Sequence, residues 1–181
     1  MSQKARLSKT DWLQAGFSAL AQDGPAALKA EPLARRLKTT KGSFYWHFDD
    51  VPAFQAAMLD IWEAEALSAL SQILDEETNS GAKLRRLGQE ITTYTSDTLA
   101  NTNPERAIRA WAKSDPSAAA RIDKVDALRL QLLTALLKEN GISNPDWALV
   151  ILGSSVGLKE LPANENSSPM ESLVDLVLAL R

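Results

Sequence analysis

The sequence has no cysteine and a single histidine, His47, among its 181 residues. Without cysteine there is no disulfide, no thiolate metal site and no cysteine nucleophile, and a reducing compartment such as the cytoplasm suits the chain. One histidine and no cysteine leave neither a catalytic triad nor a metal cluster, and no glycine-rich phosphate loop occurs, so no enzymatic activity and no cofactor are expected. The run Asp75-Glu76-Glu77 reads as solvated loop charge. Long apolar runs are missing too: each is broken by charge, and residues 1–20 lack the apolar core of a signal peptide. Neither a membrane span nor export is expected. There is no internal repeat or low-complexity tract. The hydrophobic fraction of 45% is that of an ordinary globular protein.

A net charge of −3 argues by itself against nucleic acid, but the charges are segregated. Residues 1–48 hold eight Lys/Arg against Asp11, Asp23 and Glu31, a net of +5, while the remainder holds twelve against twenty, a net of −8. One end is suited to a polyanion and the other is not.

Ser8-Lys9-Thr10-Asp11 reads as a capping box that starts a helix over roughly 9–22, with Leu13, Phe17 and Leu20 on its apolar face and Gly24-Pro25 as its stop. A second short helix lies within residues 28–37, where Pro32 fits the first turn and Leu33 and Leu37 point inward, leaving Arg35 and Arg36 outside. After Lys38-Thr39, Thr40 caps a third helix. Two short helices joined by so brief a turn form a helix-turn-helix, and neither persists without packing on the first helix. In the third, Phe44 and Phe48 share an inward face. Lys41, Gly42, Ser43, Tyr45, Trp46 and His47 lie on or near the outer surface, a composition suited to a DNA major groove. Gly42 permits close approach and Lys41 suits a base or phosphate, while Thr40, Tyr45 and His47 offer phosphate contacts. The bland alternative makes the aromatic run the core of a small three-helix module.

A fourth helix of some two dozen residues follows the Asp49-Asp50 cap, with Val51, Phe54, Met58, Ile61, Trp62, Ala66, Leu70 and Ile73 inward. After a loop over 75–82, further helices are expected over residues 83–101 (Leu84, Leu87, Ile91, Tyr94, Leu99), 105–113 (Ile108, Trp111), from Asp115-Pro116 to Asn140-Gly141, from Asn144-Pro145 to Leu161-Pro162, and from Pro169 onward. The seventh carries a broad stripe of Ile122, Val125, Leu128, Leu132, Leu133, Leu136 and Leu137. The last two, through Trp147, Val150, Ile151, Ser154, Gly157 and Leu158 and through Val174, Val177, Leu178 and Leu180, either complete the core or form a homodimer interface. Trp62, Tyr94, Arg109, Trp111, Leu128 and Leu132 line a candidate ligand pocket, with Arg109 as an anionic anchor, or are ordinary core.

Leu33-Ala34 followed by Thr39-Thr40-Lys41-Gly42-Ser43-Phe44-Tyr45-Trp46-His47-Phe48 resembles the signature of the tetracycline-repressor (TetR) family of bacterial regulators, and Ile108-Arg109-Ala110-Trp111 with Asp115-Pro116 resembles its regulatory domain more loosely. The family usually has glycine where Lys38 stands and lysine near Val51. The resemblance implies an all-α fold of about nine helices: a helix-turn-helix DNA-binding domain over 1–48, and a helical bundle over 49–181 for ligand binding and dimerisation. It implies a repressor that binds a palindromic double-stranded operator as a homodimer, with Arg35, Lys38, Thr40, Lys41, Gly42, Ser43, Tyr45, Trp46 and His47 facing DNA. A small molecule, entering between the fourth helix and the bundle, releases it. The rival class is a helical protein-interaction module without specific DNA binding.

Overall fold

A computed structural model describes residues 7–93, 104–161 and 167–180. Among them there are nine α-helices and no strand: α1 (Lys9–Asp23), α2 (Ala30–Arg36), α3 (Lys41–Phe44), α4 (Val51–Glu76), α5 (Ser80–Thr93), α6 (Glu105–Ala112), α7 (Pro116–Glu139), α8 (Asp146–Leu158) and α9 (Pro169–Leu178). The chain divides into two compact units, Met1–Glu63 with Thr95–Arg121, and Ala64–Tyr94 with Ile122–Arg181. These units follow packing. The expected boundary after residue 48 does not coincide with either of them, because the start of α4 and residues of α6 pack with the N-terminal helices.

In the first unit, α1 begins as its sequence dictates. The Asp11 backbone N–H donates to Ser8 Oγ (3.2 Å), and the Ser8 N–H donates back to Asp11 Oδ2 (2.7 Å). These bonds satisfy donors that a helix start otherwise leaves without partners. The Ser8 backbone N–H, then its hydroxyl, hold the Asp11 carboxyl below the ordinary carboxylate range; slight burial opposes this and the His47 charge adds a smaller pull. The buried face of α1 is broader than its leucine spacing suggests, taking in Trp12, Leu13, Ala15, Gly16, Phe17, Ala19 and Leu20. Gly16 is there for space. A Cβ at this position would stand 2.6 Å from Phe54 Cζ and 2.7 Å from Met58 Sδ, so α1 and α4 meet where only hydrogen fits.

The end of α2 is a Schellman turn: Lys38 N–H donates to Arg35 O (3.1 Å) and Thr39 N–H to Ala34 O (2.9 Å). That turn requires a left-handed residue, and Lys38 occupies it with φ 53°, the one non-glycine residue with positive φ among those described. The geometry that glycine normally supplies is therefore kept by a lysine, at a strain of about 1–2 kcal/mol. Arg36 ties α2 to the end of α1 through Asp23 and Gln22 (2.8 Å). Thr40 then caps α3 by accepting from Ser43 N–H (3.3 Å).

The third helix is shorter than expected, one turn to Phe44, with Tyr45–His47 continuing as a turn. Its Phe44 is fully buried, with ring centroids 5.3 Å from Trp12, 5.2 Å from Phe48 and 5.3 Å from Phe54. Asp50 caps α4 by accepting from Ala53 N–H (2.7 Å), and 26 residues make that helix about 39 Å long. Later in this unit, Ile108 and Trp111 of α6 are buried, and Arg121 of α7 bonds Asp60 and Glu63 of α4.

In the second unit, α5 begins at Ser80, three residues before the expected start, because Asn79 serves as cap: its Oδ1 accepts from Ala82 N–H (2.8 Å). Tyr94 and Leu99, expected on this helix, lie outside the described residues. Leu84, Leu87 and Ile91 join Leu133, Leu136, Leu137, Ile151, Val174 and Val177 in one core. Arg85 crosses to Asp175 at 2.6 Å. The α7 stripe differs from expectation at Leu128, which is 37% exposed, and Leu132, which is half-buried. One helical period from Val125 falls on Arg129, which is buried in their place. Leu180, expected inward, is exposed beyond the end of α9.

Two outcomes are expected. Gly16→Ala sets an overpacking cost of about 1–3 kcal/mol against a helix-propensity gain of about 1 kcal/mol. Because Phe54 is fully buried, the clash wins, and thermal unfolding shows a lower Tm; an unchanged or raised Tm contradicts the close crossing. For Asp11, a lowered folded pKa means its contribution is complete above about pH 4 and is lost as pH falls through the folded value. The Tm difference between wild type and Asp11→Asn is thus largest near neutrality and shrinks in acid; a difference that grows in acid reverses the sign.

Candidate nucleic-acid interface

The helix-turn-helix divides its residues cleanly between anchoring and display. Phe44 and Phe48 are buried, and between and before them Thr40, Lys41, Gly42, Tyr45 and Trp46 are exposed, with Ser43 and His47 half-buried. Tyr45 is 47% exposed and Trp46 78%, large values for aromatic side chains beside a fully buried phenylalanine. The Phe48 N–H donates to Phe44 O (3.1 Å), a turn that keeps both phenylalanines on the inner side and leaves their neighbours to present the other. Thr40, Gly42, Ser43, Trp46 and His47 line an open groove of about 550 Å³. The nearest atom to a Cβ built on Gly42 is Thr40 Oγ1 at 3.8 Å, so this glycine is not forced by crowding within the chain. It leaves backbone accessible to a ligand.

The electrostatics match. From Pro32 to Phe48 the sequence has Arg35, Arg36, Lys38 and Lys41 and no carboxylate. Arg35 is exposed and only loosely paired with Glu31 (3.3 Å). Such an exposed pair is worth little and gives way readily to a phosphate. Arg36 is held instead by α1 and serves as a brace. Lys41 Nζ lies 6.0 Å from the Tyr45 ring centroid. Sequence reasoning missed Lys9, whose Nζ sits 5.3 Å from the Phe48 ring centroid. No local pattern links residues 39 apart; only the packing of α1 on the aromatic cluster does.

The other expected sites fare differently. Trp62 and Trp111 are buried in the first unit, while Leu128 and Leu132 belong to the second. Arg109 is not an open anionic anchor: its Nε (2.9 Å) and Nη2 (2.6 Å) both donate to Oε1 of buried Glu105, one turn earlier on α6. Ile151, Val174, Val177 and Leu178, expected to meet a partner chain, fill the core of their own unit. Trp147 and Leu158 pack partly against it, and Ser154 is half-buried. Val150 and Gly157 are exposed. With them on the outer surfaces are Leu149 and Leu176, each 60% exposed, and Gly153, around which a Cβ would meet nothing within 4 Å. Among the described residues no cluster of three His, Asp or Glu could hold a metal, and no helix is long and apolar enough to cross a membrane.

Fold and site define a helix-turn-helix protein with a helical body. Residues 13–50 match the family model described as bacterial regulatory proteins, tetR family. The match takes in most of α1 and all of α2 and α3. No curated protein sequence matches the chain. Among solved structures, a transcriptional regulator from Rhodococcus sp. Rha1 superposes with a TM-score of 0.72 at 21% identity, covering 96% of this chain and 95% of that one. A bacterial regulatory protein in the tetR family from Rhodococcus RHA1 gives 0.70 at 16% identity, covering 96% and 97%. A protein from Saccharomonospora viridis described as a transcriptional regulator, solved in complex with choline, gives 0.72 at 11%, covering 95% and 94%. At these identities the likeness is one of fold, and it extends over nearly the whole chain.

Lys41→Ala and Tyr45→Phe are expected to weaken binding to duplex DNA severalfold with an unchanged circular dichroism spectrum, because both side chains are displayed while Phe44 anchors the turn. Wild-type affinity in both variants, measured by fluorescence anisotropy, removes these two residues from the interface.

Proposed function

We propose that the chain is a ligand-responsive DNA-binding transcriptional repressor that binds a palindromic operator as a homodimer and is released by a small molecule. The observation that carries this reading is the displayed face over Thr40–His47, held by two buried phenylalanines inside an acid-free basic segment. Residues 1–48 act as the DNA-binding head and 49–181 as the regulatory and dimerisation body. Thr40, Lys41, Gly42, Ser43, Tyr45, Trp46 and His47 meet the major groove and its flanking phosphates, joined by Arg35 and Lys38.

Two further features support the quaternary and regulatory parts. Leu149, Val150, Gly153 and Gly157 place exposed apolar and side-chain-free positions along α8, the surface a second copy needs for close helix approach. Val150 and Gly157 thereby keep their place in the dimer proposal, while the buried positions give theirs to Leu149, Gly153 and Leu176. A small-molecule effector is supported by the choline complex of the Saccharomonospora protein of the same fold. Trp62 and Trp111 of the body are its proposed contacts here. Lowering operator affinity a hundredfold takes about 2.7 kcal/mol of coupling between sites, within the ordinary range for allostery.

The test is selection of bound duplexes from a random pool by the purified full-length protein, followed by affinity against salt on the winner. The expected result is a palindromic winner with a log–log salt slope of about −5 or steeper, as when two heads each neutralise several phosphates. An absence of enrichment with uniformly weak binding overturns the reading in favour of a helical protein-interaction module.

A further inference from the structure

We infer that Lys38 is a phosphate anchor of the head, a lysine retained in a left-handed backbone conformation for the sake of its charge. The inference rests on the DNA-binding reading above and deepens it.

Three observations converge on this residue. Its φ of 53° is the one positive value at a non-glycine residue among those described, in a Schellman turn whose two hydrogen bonds are intact. Glycine would meet this backbone requirement without strain. A strained residue persists where its surroundings or its role hold it there. The side chain is also exposed, so lysine is not retained to fill the core. Finally, the residue stands in the acid-free stretch between Arg35 and Lys41, two positions before the Thr40 cap. Arg35 and Lys41 on either side are exposed as well, so the stretch presents several cations to a polyanion. A lysine suits this place better than an arginine would need to: its ammonium acts as a point charge on a flexible stem, so a phosphate can be met without the fixed geometry of a bidentate contact.

Strain and charge predict opposite consequences for stability and for binding, and a purely structural lysine would not produce that pair. The full-length protein and its Lys38→Gly, Lys38→Asn and Lys38→Arg variants are compared in thermal unfolding and in anisotropy titrations across salt. The probes are the selected duplex and a 30-base-pair duplex of mixed sequence. Lys38→Gly is expected to raise Tm by about 2 °C or more. It is also expected to lower affinity at 0.15 M salt by about fivefold per head and to flatten the log–log slope by about 0.9 per head, the signature of one lost phosphate contact. Lys38→Asn, which also tolerates the left-handed region but is neutral, should lose the same slope, and Lys38→Arg should keep it.

A wild-type slope and affinity in Lys38→Gly overturn the inference and leave the DNA-binding reading standing. So does a lowered Tm in that variant, which makes the side chain structural. If the wild type itself shows no salt-dependent binding to either duplex, the DNA-binding reading falls and this inference falls with it.

Discussion

A helix of one turn cannot exist by itself: nucleation fixes several residues for a single hydrogen bond, and isolated helices several times longer are marginal in water. The four residues of α3 are therefore where they are because Phe44 is where it is. Its ring is fully buried among Trp12, Phe48 and Phe54, contributed by α1, the turn after α3 and the start of α4. Edge-to-face packing, the arrangement with Trp12 and Phe54, adds about 0.5–1.5 kcal/mol per pair beyond area burial, and it fixes orientation as well as position. With Phe44 and Phe48 pinned, the displayed residues between them have little freedom to turn elsewhere. The outer face is defined by what holds the inner one.

Two ion-pair groups extend the same logic into the rest of the first unit. Glu63 and Glu105 are buried carboxylates, and each has an arginine on it, Arg121 and Arg109 respectively. The hydrogen bond to Glu63 raises the Arg121 pKa above its ordinary value; burial opposes it, and the charges of Asp60 and Glu63 add to the rise. Since arginine stays charged throughout the working range, Glu63 keeps its countercharge at any pH at which the protein is folded. Such groups contribute little net stability relative to apolar substitutes, but removing one partner leaves a buried charge uncompensated.

Where a residue type carries its own structural meaning, the sequence was legible. Ser8 with Asp11, Asp50 and Asp115 all cap the helices their positions imply, and Phe44 and Phe48 turn inward as their spacing requires. Legibility failed where residue type and role part company. Lysine does not announce a left-handed turn, so Lys38 was visible as a departure from a family pattern and not as a strained residue. Arginine reads as surface, so the inward position of Arg129 went to Leu128. On α8 both faces are apolar, and periodicity cannot distinguish the face that meets the chain's own core from the face left outside; Ile151 and Val150, adjacent in sequence, fall on opposite sides of that division. Gly16 was silent because the need for a missing side chain arises from Phe54 and Met58, far along the chain.

The first unit is discontinuous in sequence: Met1–Glu63 is completed by Thr95–Arg121, which brings Ile108, Trp111 and the Arg121 countercharge. Chains are made from the N-terminus at about 5–20 residues per second. The unit's first 63 residues therefore wait several seconds on the ribosome before the segment that finishes their packing has been synthesised, with Glu63 lacking its arginine throughout. The first unit can close its packing only once Arg121 has been made, by which time all of α5, a helix of the other unit, has already left the synthesis site.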